Sequence, residues 1–520
     1  MNKRKLFTVL ALVIIMMMGI VVTSSAQGPD GSGWWASFTI QNATSANANV
    51  VATAYDSSSA STYNSSVTLP GDYSVTFHPG LAANCTNPVT VSGCRIGLSP
   101  ALPAGFEGSA VISSDNPVYA ITSVNNNASG SVGVSNGAAR SFYQGVDGAS
   151  AATKLYFPTV KHNFSGQSTV FFVQAAGTNA NVTISYRMNN GNTYTQNQVI
   201  AANKMFAFAP LAAAVPSCNG GNGGGSSVAP CFGGATVTSD TPVAGVVIEY
   251  IHGASVANYV LATRGLSDAD AGTIVAAPAM KNSFNGGTTG ATILNTGLAQ
   301  ATVNLDFTVT SASTGCPLSP GHTTSDSVTI APGASVVVNQ LQGNTGDLDT
   351  PAQNRCVFYS MVANSNQPIV VTVNENRTYL GAPVKAVYSG FNTANASDTV
   401  YIPLYKEFFN GQASGLTVVN ASASTATVIR ATFTSSTGST HVVQTTSAVA
   451  AGAAVNFFEL YNGQAGFTAV SGGMPAFNTR HSVVVEAVTA GVPIVAINQE
   501  SDRAAGDGVL DITNYEGFNQ

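Results

Sequence analysis

Three stretches of this 520-residue chain share the skeleton Pro-x-x-Lys-x-x-Phe-x-Gly: "PTVKHNFSG" at 158–166, "PAMKNSFNG" at 278–286 and "PLYKEFFNG" at 403–411. A skeleton that returns at long, nearly constant intervals marks a chain built from copies of one supersecondary unit. Other anchors keep step with it. Gly145, Gly265, Gly390 and Gly517 follow one another at intervals of 120, 125 and 127 residues, and Tyr143, Tyr388 and Tyr515 stand two residues before three of them. Pro158, Pro278 and Pro403 each come 13 residues after one of the first three glycines, and Ala175, Asn295 or Asn420 lies nine residues past each motif glycine. Gly33 and Asn42 keep that last spacing, and Pro117, Pro242, Pro368 and Pro493 give a further anchor. Four repeats follow: 33–145, 146–265, 266–390 and 391–520.

Inside a repeat the hydrophobic period is two. "STVFFVQ", "NVTISYRM", "ASVVVNQL" and "HSVVVEAV" are rich in the β-branched and aromatic residues that suit a pleated surface, and no long amphipathic helical pattern competes. In the fourth repeat strands are expected near 399–405, 415–420, 426–433, 440–447, 453–460, 481–488, 492–498 and 508–513. Seven or eight short strands in roughly 100–120 residues is the count of a sandwich. The expected fold class is therefore all-β, with four tandem β-sandwich modules of about 120 residues each.

The opening skeleton has a structural reading. Proline cannot donate a ladder hydrogen bond, so Pro158, Pro278 and Pro403 belong at a strand start or sheet edge. Asn285-Gly286, Asn410-Gly411 and the weaker Ser165-Gly166 are hairpin-turn pairs. Phe164, Phe284 and Phe409 then close the apolar end of the sandwich. The lysine needs a partner, and seven residues after the later proline stands Glu249, Glu375 or Glu500. The first repeat has Val124 there and no lysine motif, as expected if the two charges are kept or lost together. The expected pairs are Lys161 with Glu249, Lys281 with Glu375 and Lys406 with Glu500. A sharper alternative joins each lysine to the repeat's asparagine in an isopeptide bond assisted by the glutamate, but the second repeat has Ala175 in place of the asparagine.

The chain begins with a basic "MNKRK", an apolar run from 6 to 22 and "SSA" at 24–26, the pattern of a secretory signal peptide (1–26) cleaved after Ala26. An uncleaved anchor is the alternative. Charged residues make up only 8% of the chain against about 25% in average soluble proteins, and no basic patch suits nucleic acid. Six cysteines fall two in each of the first three repeats and none in the fourth: Cys85 and Cys94, Cys218 and Cys231, Cys316 and Cys356. In a secreted chain that favours three local disulfides over a zinc site, whose spacing they do not resemble.

Little suggests chemistry. The six histidines share no repeat position, "GVSNG" at 133–137 matches a nucleophile elbow without its strand and helix, and "GGNGGG" lacks the lysine of a phosphate loop. Asp268 and Asp270 in "SDADAG" are weak calcium candidates, since the usual loop has more carboxylates. Trp34 and Trp35, neighbours in an expected strand, must face opposite ways; one is a candidate surface for stacking on a sugar ring. No cofactor is expected. The first repeat also lacks the strand that opens the other three, which leaves a sheet edge for self-assembly or for a partner strand.

Motifs such as "IPLYKEFFNG", "GLTVVN" and "VTSDTPVAGVV" make nearly all of 33–517 resemble the tandem all-β, immunoglobulin-like modules of predicted secreted and cell-surface bacterial proteins. The resemblance implies surface location and sandwich modules and names no activity. The expectation is a non-catalytic surface or adhesion protein, a rigid array meeting a cell-envelope or extracellular protein or glycan. The alternatives are a carbohydrate-binding or hydrolytic secreted protein and a subunit of a surface filament or layer.

Overall fold

The computed structural model describes residue 29 and residues 33–78, 95–126, 139–218, 230–253, 260–379, 382–435, 438–502 and 512–519. Among them every regular element is a β-strand or a single 3-10 turn, and several separate sheets form. The chain is all-β, as the period of two requires. No helix among the described residues is long and apolar enough to cross a membrane. The signal-peptide residues 1–26 lie outside the described residues.

Each repeat is organised on one spanning stretch of chain. In the second it is a single strand, Phe232–Ile251, whose first half pairs with Ala180–Met188 and with the opening strand Ala152–Lys161. Its second half pairs with Gln167–Ala175 and with Val260–Arg264. Val357–Tyr379 does the same in the third repeat. In the fourth the stretch is broken into Thr479–Ala487 and Ile494–Asp502, and in the first into Gly108–Ser114 and Val118–Asn126. The change of partners falls at the recurrent proline. Lacking an N–H, Pro117, Pro242, Pro368 and Pro493 can stand where a ladder stops, and each carbonyl accepts a backbone N–H, from Ala43, Ala176, Thr296 and Ala421.

Seven of the eight strands expected in the fourth repeat have counterparts, from Thr399–Glu407 to Ile494–Asp502; most of the eighth, 508–513, lies outside the described residues, and a strand Ile512–Glu516 begins at its end. The edge strand Phe467–Ser471 was not expected: four of its five residues are exposed, so it carries no apolar alternation. The motif turns have positive φ at both central residues, 49° and 76° at Asn285-Gly286, 52° and 79° at Asn410-Gly411, 50° and 74° at Ser165-Gly166. Those are the angles of a tight type I′ hairpin, which explains the glycine and the preference for asparagine before it.

In the first repeat Gly108–Ser114 pairs with Ala48–Asp56 and, among the described residues, with no opening strand on its other side. The consequence is visible in burial. Ile112 is half-buried, whereas Val237 and Ala363, which stand at the same distance before their proline, are fully buried.

The four repeats do not lie in a row. The strands that end them, Ala139–Gln144, Val260–Arg264, Ala382–Ser389 and Ile512–Glu516, each touch the next, and the fourth touches the first. These hub strands close a cycle. Around it each opening strand packs on the following repeat: Ala152–Lys161 on the third, Gly272–Asn282 on the fourth, Thr399–Glu407 on the first. A serine hydrogen bond recurs at three junctions, from Ser109 to the Asn203 carbonyl (2.6 Å), from Ser360 to Gly452 (3.4 Å) and from Ser482 to Asp72.

The glycines that end the second, third and fourth repeats are needed where hub and opening strands approach. A Cβ on Gly390 would come within 2.9 Å of Val275 Cγ1, one on Gly265 within 2.9 Å of Phe157 Cζ, and one on Gly517 within 2.3 Å of Val400 Cγ1. The tyrosine two residues earlier secures the same contact. Past the opening proline the strand register shifts, between Ala277 and Met280 and between Ile402 and Tyr405. The Tyr388 hydroxyl accepts the Ala279 N–H and donates to its carbonyl, both at 3.1 Å. Tyr515 serves Leu404 in the same way.

Candidate functional site

The most concentrated chemistry lies at the junctions around the hub. Lys161 Nζ is 2.9 Å from Glu249 Oε1, Lys281 Nζ 2.6 Å from Glu375 Oε1 and Lys406 Nζ 2.9 Å from Glu500 Oε2. All six side chains are at most 11% exposed. The geometry follows from the fold: the lysine lies in the last two residues of the opening strand, the glutamate lies on the spanning stretch, and the motif hairpin brings Gln167 or Gln412 within 2.5 Å of the ammonium of Lys161 or Lys406.

These are ion pairs. Asn295 and Asn420 belong to another part of the repeat, where their amides donate to Ala299 and Ile330 and to Thr425 and Val449. Asn295 is six residues along its strand from Thr289, the residue beside Lys281, which is about 20 Å. Asn42 makes the same loop contacts in the first repeat. The isopeptide alternative is therefore corrected: the asparagine is a turn-former, which is why Ala175 can replace it.

The spacing did not indicate that each glutamate also meets the next repeat. Glu500 binds Arg140 of the first repeat at 2.6 Å. Gln499 of the fourth repeat lies 2.9 Å from Lys281 and donates to Glu375 at 2.7 Å. Lys385 of the third repeat is close enough to feel the charges of Glu249 and Lys161. At the remaining junction Val124 packs with Ile248 and Val260 of the second repeat. So three junctions are charged and one is apolar.

Burial sets the electrostatics. Burial acts to raise the Glu500 carboxyl, but Arg140 and Lys406 outweigh it and hold it below the usual range. Lys406 is pushed down to about 8, first by burial and then by Arg140, against the attraction of Glu500. Two cations share one carboxylate, so the anion is secured and each cation feels the other. Burial likewise lowers Lys385 to about 8, with Glu249 opposing the fall and Lys161 adding to it. At one end of the hub Gln144 donates to the carbonyls of Glu516 and Gly517, Arg264 donates to Gln144 at 3.0 Å, and the Glu516 carboxylate accepts the Ser389 N–H.

The other candidates become structural. Asp270 is held by Arg264 at 2.6 Å and by Ser267, and Asp268 accepts the Tyr156 hydroxyl at 2.6 Å. Oxygens of both carboxylates serve protein donors, and among the described residues no group of three or more His, Cys, Asp and Glu side chains could hold a metal. Cys218 is bonded to Cys231 and Cys316 to Cys356, and Cys85 and Cys94 lie outside the described residues, as does "GVSNG". Trp34 packs on the Val170, Ile248 and Tyr250 cluster of the second repeat, and Trp35 stacks on His78 at 4.8 Å. Both indoles are half-buried in these contacts. Four histidines meet in pairs, His162 with His252 and His441 with His481, at 5.9 and 5.8 Å between rings. No spacing rule reveals such pairs, because their members lie on different strands.

No family model matches the chain, and no curated protein does. Among solved structures it is similar to the crystal structure of Thermotoga maritima 1070, at 19% identity over 23% of this chain and 94% of that one, with a TM-score of 0.18. A likeness at that level assigns neither a family nor an activity.

Proposed function

We propose that this is a non-catalytic, secreted or cell-surface structural or adhesion protein, made of four immunoglobulin-like β-sandwich modules (33–145, 146–265, 266–390 and 391–520) closed into a ring. The observation that carries the reading is where its few charges go. In a chain that is only 8% charged, Lys161, Glu249, Lys281, Glu375, Lys406, Glu500, Arg140 and Arg264 are spent on contacts within or between repeats. Rigid relative placement of four modules is what such an investment serves, and display of their outer loops to an envelope or extracellular partner is the use that fits it. Two disulfides and the N-terminal "MNKRK" run agree with export.

A second reading, the subunit of a filament or layer, is favoured by one observation: among the described residues nothing pairs with Gly108–Ser114 on the edge where the other repeats carry an opening strand. A partner strand with apolar residues on one face fits there. Electron microscopy of residues 27–520, with light scattering, tests both readings. Isolated four-lobed particles of monomer mass are expected. Extended four-bead rods contradict the ring, and filaments or sheets that vanish when Ala110 is replaced by proline move the conclusion to the second reading.

A further inference from the structure

The junction between the second and third repeats contains a small, partly open cavity of about 20 Å³, lined among others by Pro158, Thr159, Glu249 and Thr263 of the second repeat and Thr372 and Asn374 of the third. Three substitutions relative to the next junction make room for it. Thr263 stands where Tyr388 and Tyr515 stand, two residues before the closing glycine, so the second repeat has no phenol hydroxyl to meet the residue after the opening proline. Asn374, one methylene shorter, stands in the place of Gln499, and Val387 in the place of Asn514. The aromatic volume is not lost: Phe157 replaces Ala277 and packs on Phe171 at 5.1 Å between ring centres. What is missing is the hydroxyl.

We infer that this cavity is a binding site for one structural water molecule, which takes the place of the absent tyrosine hydroxyl. Its size fits, since a site for one water needs roughly 10–15 Å³ of this kind of space. Its chemistry fits as well. The Thr159 and Thr372 hydroxyls, in residues 9% and 4% exposed, have no hydrogen-bond partner within the protein, and both residues line the cavity. A buried hydroxyl without a partner is costly, and a water bonded to both removes the cost on both sides of the junction. Glu249 and Asn374, two residues with polar side chains, also line the cavity, and a buried water normally takes about three partners. The second and third repeats are thus joined through a water where the third and fourth are joined directly, by Gln499 to Lys281 and Glu375. The inference does not depend on the proposed function.

The test is a crystal structure of residues 27–520 at a resolution that orders buried waters, for the native sequence and for Phe157→Ala with Thr263→Tyr, which restores the arrangement of the third repeat. The native protein is expected to show one water within about 3.2 Å of both threonine hydroxyls, and the double variant a phenol oxygen in its place with the water gone. A dry cavity, or a Thr159 and a Thr372 bonded directly to protein groups, overturns the inference. Should the double variant fail to fold, Thr372→Val supplies the second structure. The water is then expected to lose occupancy, and unchanged density at full occupancy contradicts its bond to Thr372.

Discussion

The junction of the fourth repeat with the first and that of the first with the second solve one packing problem in opposite ways. At the former, Glu500 sits between Lys406 and Arg140; at the latter, Val124 occupies the glutamate's position against Ile248 and Val260. The backbone frame is the same, since both residues lie seven positions past the recurrent proline. What differs is the opening strand, which the first repeat does not show among the described residues. The first repeat has no lysine motif, and a lone carboxylate at that depth would have no counter-charge inside its own repeat. The comparison teaches that the ion pairs are one of two acceptable fillings of a buried position, and that what the position does not tolerate is half of a pair.

The sharpest way to break the comparison is Glu500→Ala. It strands Lys406 and Arg140 together, so a loss of about 3–5 kcal/mol is expected in urea denaturation. A loss near zero would mean that the cations are hydrated and the junction is not closed.

Acid should discriminate between repeats. Burial, and then the neighbouring His441, depress His481 from 6.5 to about 3, and burial followed by Arg95 depresses His78 to about 4. Below pH 6.5 the unfolded chain takes up a proton that folded His481 refuses until about pH 3, so stability falls as pH drops across that window. The slope from His481 is at most about 1.4 kcal/mol per pH unit. Both groups belong to the repeats that meet at Glu500. Hydrogen exchange at pH 5 against pH 7 should therefore open the first and fourth repeats before the third, and His481→Phe should flatten the change in the fourth.

Tyr515→Phe removes the hydroxyl that serves both backbone groups of Leu404, and a loss of about 1–3 kcal/mol is expected in thermal or urea unfolding. The same repeat position is Thr263 in the second repeat, so Thr263→Val should cost clearly less. Equal costs would deny the tyrosine its special place.

The smallest effect sharpens the comparison most. Lys281→Met combined with Glu375→Leu converts a charged junction to the apolar kind, and stability within about 1 kcal/mol of the native protein is expected. Glu375→Leu alone should be far worse, because it leaves Lys281 buried with an amide as its remaining partner.

Much of the fold was legible. The all-β class followed from alternation, and the tight turns from Asn-Gly pairs. The edge strand Phe467–Ser471 was not legible, because an exposed strand carries no apolar signature. At the junctions, the covariation of Lys161, Lys281 and Lys406 with their glutamates pointed to pairs that lie within 2.6–2.9 Å. Arg140, Gln499 and Lys385 were invisible as their neighbours, since each comes from a different repeat.

The sequence by itself determined what recurs: period-two strands, prolines where ladders stop, a glycine where two backbones meet and a lysine matched to a glutamate. These are local requirements, and local chemistry is written in spacing. Only the tertiary structure decided that the four copies close on one another, that tryptophans 34 and 35 are used for packing, and that a glutamate of one repeat is shared with the next. Those outcomes depend on which surfaces of different repeats meet, and separations of a hundred residues or more leave no periodic trace in the chain.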